Sequence, residues 1–235
     1  MNEQRLASRV VQYSQLRDRV FRDFFSTESN KKIFANPVVT VSREPGSGGK
    51  LIAQELAKRL KYTFYDKQII EEIAESAKLR TSVLERIDEH KRTAVQDLIQ
   101  SLLNPDYVSD LTYFKHLSRV ILAIGAKGNA VILGRGANFI LPFEKGLHIR
   151  VTAPYSTRVE RAVQYEGKTL EDARETVKKF DKARKQFVEQ YFGRKMRRAS
   201  YYDLVLNTEI LSIEDCVEIA LSAFARKFPS DRAKG

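Results

Sequence analysis

The densest run of chemistry-bearing residues is Ser42-Arg43-Glu44-Pro45-Gly46-Ser47-Gly48-Gly49-Lys50. It lies between a β-branched run, PVVTVS (37–42), and an amphipathic one, LIAQELAKRL (51–60). Three glycines between strand and helix let backbone N–H groups converge on one point, and the helix N-terminus adds partial positive charge there. A lysine in the first helical turn then reaches the β/γ oxygens of a triphosphate. A plain connecting turn is the bland alternative, but strand, loop and helix in this order favour phosphate. Aligned on Lys50, the run departs from G-x-x-x-x-G-K-[ST]: Glu44 stands at the first glycine and Leu51 at the hydroxyl position. That hydroxyl normally ligates magnesium. The metal donors therefore stay open among Ser42, Ser47, Glu44, Asp66 and water.

Four further places carry polar groups beside glycines or strand ends. Tyr65-Asp66 closes the run YTFYD, and Asp66 reads equally well as a ligand group or as an N-cap for a helix from Lys67. Arg135, within Gly134-Arg135-Gly136-Ala137-Asn138, suits a bidentate grip on phosphate, with a structural ion pair as its alternative. Arg158 and Arg161 follow VTAPYST. Asp181 and Arg184 stand one turn apart on a charged helix and share a face. Nearby Lys178, Lys179, Lys182 and Lys185 read as a solvated face. His90, His116 and His148 are too far apart for metal-ligand spacing. Cys216 is the only cysteine, so an internal disulfide and a cysteine-cluster metal site are excluded.

These residues need a scaffold that presents strand ends together. Apolar spacing predicts a helix over 3–25, a polar connector at 26–32, and strands at 37–42, 62–66, 129–134, 147–153 and 202–207. Helical patterns fill 51–60, 67–77, much of 81–127 and 154–200, and a last helix is capped at Ser212. Short apolar strands alternating with helices predict an α/β fold with a parallel sheet covered on both faces. Ligands then bind beyond the carboxyl ends of the strands, after Ser42, Asp66, Gly134 and Thr152. The N-terminal helix is apolar enough to pack on its own domain or on a partner helix.

The 235 residues carry 41 Lys/Arg against 30 Asp/Glu, a net charge of +11. Residues 150–200 hold 14 basic and 7 acidic groups, so most of the excess lies there. Apart from GRKMRR (193–198) no dense basic run occurs, which makes a nucleic-acid groove the weaker reading. No apolar run approaches the ~20 residues of a membrane span, and the first 21 residues lack the apolar core of a secretory signal. A cytoplasmic protein is expected.

SREPGSGGKLIAQELAKRL, FYDKQII and AVILGRGANFIL together resemble the cytidylate kinase-like family of phosphate-loop proteins, over about Val38 to Ala223. The resemblance implies a P-loop NTPase fold with five parallel strands, a helical acceptor-binding insertion (about 67–127) and a helical lid (about 154–200). The core domain would span 37–228, after an N-terminal extension (1–36) and before a flexible tail (229–235). The implied reaction moves the γ-phosphate of ATP to CMP or dCMP, with Mg²⁺. Gly46, Ser47, Gly48, Gly49 and Lys50 would cradle the ATP phosphates. Tyr65, Asp66, Arg135 and Asp181 would meet the acceptor, and Lys50, Arg158, Arg161 and Arg184 would act on the transferring group. Leu133 and Gly136 stand where the comparison enzyme has aspartates. Two other readings remain: a P-loop kinase with another small phosphorylated or hydroxyl acceptor, and a nucleotide-binding regulator with little turnover.

Overall fold

The computed structural model describes residues 3–25, 36–66 and 110–229. Its elements run α1 (Glu3–Phe25), β1 (Val38–Arg43), α2 (Gly49–Leu60), β2 (Thr63–Tyr65), α3 (Asp110–Lys127), β3 (Ala130–Leu133) and α4 (Ala137–Ile140). They continue as β4 (Gly146–Thr152), α5 (Tyr155–Glu166), α6 (Leu170–Phe192), β5 (Leu204–Asn207) and α7 (Ile213–Lys227). The helix expected at 67–77, the pattern over 81–109 and the segments 26–35 and 230–235 lie outside the described residues.

All five strands are parallel, in the order β2-β3-β1-β4-β5. Alternation along the strands explains why the sheet needs helices on both faces. On β3, Ala130 and Ile132 join one apolar cluster, while Val131 and Leu133 join the other. The first is capped by α1 and α3 with the end of α6, through Tyr13, Phe114, Ile121 and Tyr191. The second is capped by α2 and α7, through Ile52, Leu56, Val217 and Phe224. Between these layers β1 is central, and Val38, Val39 and Val41 are wholly buried.

α1 packs on α3 and α6 of its own chain, which resolves the choice that apolar spacing left open. α5 and the first half of α6 form a satellite cluster of Val159, Ala162, Ala173 and Val177. α7 opens with the expected cap: Ser212 accepts from the Asp215 amide while the Asp215 carboxylate accepts from the Ser212 amide. The last strand begins at Leu204 rather than Tyr202. Tyr202 instead turns its hydroxyl to the Met196 carbonyl at 2.9 Å, and the Asp203 carboxylate accepts from the His148 amide at 2.8 Å. Among the described residues no helix is long and apolar enough to cross a membrane.

Because every strand runs the same way, Arg43, Asp66, Gly134, Ala153 and Thr208 all lie at the carboxyl ends of the strands, on one side of the molecule. The candidate site lies there.

Candidate active site

Gly46 and Gly48 both have φ of 73°, the left-handed region that favours glycine. A Cβ on Gly46 would come within 2.7 Å of the Arg158 carbonyl oxygen, so the loop also needs glycine for close approach to α5. Gly48 caps α2 with no side-chain acceptor, which leaves the first amides of the helix for a ligand. The Lys50 side chain is 62% exposed at this mouth, with Nζ 3.9 Å from the Asp66 carboxylate. Ser47 is wholly buried, and its Oγ lies 2.8 Å from the Glu44 carbonyl oxygen. Leu51, at the hydroxyl position, stands 58% exposed.

Behind the loop Glu44 is buried with its charge satisfied. The register that pairs Ser42 with Arg150 carries Glu44 alongside the end of β4. Arg150 Nη2 and Thr152 Oγ1 each donate to its carboxylate at 2.7 Å, and Arg158 Nε lies 3.6 Å away. Arg158, itself 3% exposed, donates to both Asp181 oxygens at 3.0 Å and to the Ala153 carbonyl at 3.0 Å.

The three arginines expected in the lid converge on the backbone of one short segment. Arg184 donates to the carbonyl of Arg43 at 3.0 Å, Arg158 to that of Pro45 at 3.4 Å, and Arg161 to that of Gly46 at 3.4 Å. Arg161 also holds Thr208, through the carbonyl at 2.6 Å and the hydroxyl at 2.9 Å.

Two of the cavities around the loop take in the arginines that converge on it. One, of about 460 Å³, is lined by Arg43, Arg135 and Arg184 with Asn138, Phe180 and Phe187 among its walls. The other, of about 580 Å³, is lined by Gly46, Gly48, Leu51, Arg161, Tyr165 and the 208–213 turn. In the first, burial pushes the Arg43 guanidinium down to about 10, helped by the neighbouring charges of Arg184 and Arg135. Burial likewise lowers Arg184, against the pull of Asp181. Cations held together and partly desolvated favour an anion between them. Asn138 lines the same cavity, and its buried Nδ2 has no partner among the described residues.

Arg135 is held in an unusual backbone state. Gly134, Arg135 and Gly136 have φ of 81°, 53° and 66°, so a non-glycine residue sits in the left-handed region at a cavity wall. Its guanidinium carbon lies 5.8 Å from the Phe187 ring centroid. A Cβ on Gly134 would meet the movable end of the Arg43 side chain, so it is the left-handed backbone, at φ 81°, that calls for glycine there.

The structure thus brings Arg135 and Arg184 to one cavity and Arg161 to the other, and sets Lys50 and Asp66 against each other where the loop enters α2. Tyr65 is only 7% exposed and packs in the core cluster with Phe114 and Ile132, the inward position of β2. Arg158 and Asp181 are given to each other, behind the loop. Sequence reasoning passed over Arg43, whose signal was its place at the end of the buried strand, and Arg150, which carries no local signal. Of the possible magnesium donors, Ser47 and Glu44 are committed inward and Ser42 donates to Asn138 at 3.2 Å. Asp66 remains at the mouth. Magnesium takes one or two carboxylates with phosphate oxygens and water, so this donor set fits it.

The family model described as the cytidylate kinase-like family matches residues 38–210. The chain belongs to the cytidylate kinase-like family. It is a kinase of that family, and relatives span nearly its whole core. A cytidylate kinase of Staphylothermus marinus is 30% identical over 193 residues, 81% of this chain and 97% of that protein. One from Pyrobaculum aerophilum is 28% identical over 186 residues, 78% of this chain and 90% of that protein. A uronate isomerase of Corynebacterium glutamicum is 33% identical over 100 residues, but this chain spans only 19% of that protein's length. Among solved structures, an uncharacterized protein from Eubacterium ventriosum superposes with a TM-score of 0.61 at 22% identity, covering 81% of this chain and 99% of that one. That likeness is one of fold.

Proposed function

We propose that this family member transfers the γ-phosphoryl group of ATP to a nucleoside monophosphate, CMP or dCMP. The observation that carries the reading is the pair of cavities around the glycine loop, one of them walled by three arginines. A donor in one and an anionic acceptor in the other would meet at Lys50. The kinships to proteins named cytidylate kinase support the choice of acceptor.

In this reading the loop from Gly46 to Lys50 holds the ATP phosphates, through amides other than that of Ser47, which donates to the Glu44 carbonyl, and the nucleoside end occupies the cavity beside Leu51 and Tyr165. Arg43 and Arg135 grip the acceptor phosphate, and Asn138 Nδ2 adds a donor. An acceptor phosphate oxygen bonds to the γ-phosphorus as the bond from that phosphorus to the β,γ-bridging oxygen breaks, leaving ADP. Such transfer asks for positioning and charge neutralisation rather than a protein nucleophile. Lys50 and Arg184 supply the cations nearest the transferring group, and Arg161 supplies one from the donor side. Arg158 acts by position, fastening the loop to α5 and α6. Asp66 is the carboxylate that would hold Mg²⁺, which would neutralise phosphate charge when bound.

The exposed Leu51, standing where a metal-binding hydroxyl is usual, favours one second reading: a nucleotide-binding regulator with slow turnover. A coupled ADP-release assay over a panel of nucleoside monophosphates decides between them, with Lys50→Ala as control. Transfer to CMP or dCMP that vanishes in the variant supports the kinase. ATP binding without transfer to any member of the panel overturns it.

A further inference from the structure

The matched family region begins at residue 38, so α1 lies outside it. Yet α1 is bolted to the helix that walls the arginine-lined cavity. Tyr13 is 1% exposed and meets two rings edge-on, Phe114 at 5.3 Å and Tyr191 at 5.0 Å between centroids. Tyr191 stacks on Phe114 at 5.5 Å with an interplanar angle of 6°. One turn earlier on α6, Phe187 packs against Tyr191 at 4.9 Å. Phe187 is the ring beneath the Arg135 guanidinium and a wall of the cavity. Phe192, the last residue of α6, meets Phe139 at 5.0 Å and fills the space where Gly136 would carry a Cβ. A second α1 residue, Val10, lies over Gly193, the left-handed cap that ends α6.

The arrangement matters because α6 is held at two ends by different means. Its first half packs into the satellite cluster with α5, and its middle is tied by Asp181 to Arg158 and by Arg184 to the Arg43 carbonyl. Its last turn, through Tyr191 and Phe192, joins the main core. A helix of 23 residues is a rod about 35 Å long. Where its base sits decides where Arg184 and Phe187 stand. We propose that Tyr13 is a positioning residue for the acceptor site: it clamps the base of α6 through Tyr191 and thereby sets Phe187, and with it Arg135, against the acceptor phosphate. α1 is then a strut of the acceptor pocket rather than an appendage. The inference rests on the assignment of this cavity to the acceptor.

The test uses full-length Tyr13→Ala and Tyr13→Phe, assayed with ATP and CMP below the melting temperature of the weaker variant. The alanine change is expected to raise KM for the acceptor on the order of 10-fold, short of the ~10²-fold that a full 1 Å misplacement can cost, with KM for ATP nearly unchanged. The phenylalanine change, which keeps the ring, restores the acceptor KM. Equal rises in both KM values, or no change in either, overturn the proposal. Hydrogen exchange provides a readout independent of the acceptor's identity. Amides of 184–193 should exchange faster in Tyr13→Ala while those of 38–43 keep their protection; unchanged protection over 184–193 overturns the clamp even if CMP proves not to be the substrate. Should Tyr13→Ala not fold, Val10→Ala carries the same pair of measurements.

Discussion

Glu44 and Arg150 form a buried ion pair at 2.7 Å, both side chains 5% exposed, directly behind the glycine loop. Thr152 donates to the same carboxylate, and Arg158 and Arg197 lie within ion-pair reach of it, so one charge organises the ends of β1 and β4 and the start of α5. Removing one partner of such a pair leaves an uncompensated buried charge. Glu44→Ala should therefore lose about 3–5 kcal/mol of stability. Urea unfolding measures it, and a loss below about 1 kcal/mol, the range of exposed pairs, would mean that water reaches the site.

Arg135 carries strain that a glycine would not. At φ 53° a left-handed non-glycine residue costs on the order of 1–3 kcal/mol. Arg135→Gly should thus be more stable than Arg135→Ala by about 1 kcal/mol. Both should raise the acceptor KM far more than the ATP KM. Thermal melts and paired KM measurements check this, and equal stability of the two variants would show that the strain is absent.

Arg158 and Arg184 should fail in different ways. Arg158 is buried against Glu44 and Asp181, so Arg158→Ala should lose about 3 kcal/mol or more of stability. Arg184 lines the cavity and is tied only to a backbone carbonyl among its described hydrogen bonds. Its alanine variant should bind ATP almost normally in calorimetry, yet lose on the order of 10²-fold in kcat. A slow but unstable Arg184→Ala, or a stable and slow Arg158→Ala, would exchange their roles.

His148 is fully buried, with Nδ1 2.6 Å from Thr40 Oγ1 and no partner for Nε2 among the described residues. Burial holds its pKa at about 4, overcoming the opposite pull of Asp203, while Lys227 adds to the depression. The unfolded chain takes the proton first, near pH 6.5. Stability is thus unaffected above that pH and falls as pH drops from 6.5 towards 4, by roughly 3 kcal/mol in all. His148→Asn should flatten that limb of the curve. Parallel wild-type and variant curves over this window would assign acid sensitivity to other groups.

Much of the site was legible because it is local. Strand, glycine loop and lysine follow one another within Val38–Lys50, and Gly134-Arg135-Gly136 advertises its own backbone geometry. The apolar alternation that demands a two-faced parallel sheet is likewise carried residue by residue, which is why the five strands were readable to within two residues at their ends. Only the tertiary structure decided who stands beside whom. Glu44 and Arg150 are 106 positions apart and meet because β1 and β4 are neighbours in one register. Arg43 became part of a three-cation cavity, and Tyr65 part of the core, through the placement of β3 and α6 around them. Arg158, Arg161 and Arg184 look alike as charges on helices, but packing buries the first and places the others on the walls of separate cavities. Burial and pairing are properties of packed surfaces, and periodicity along a chain says which face turns inward without saying what it meets there.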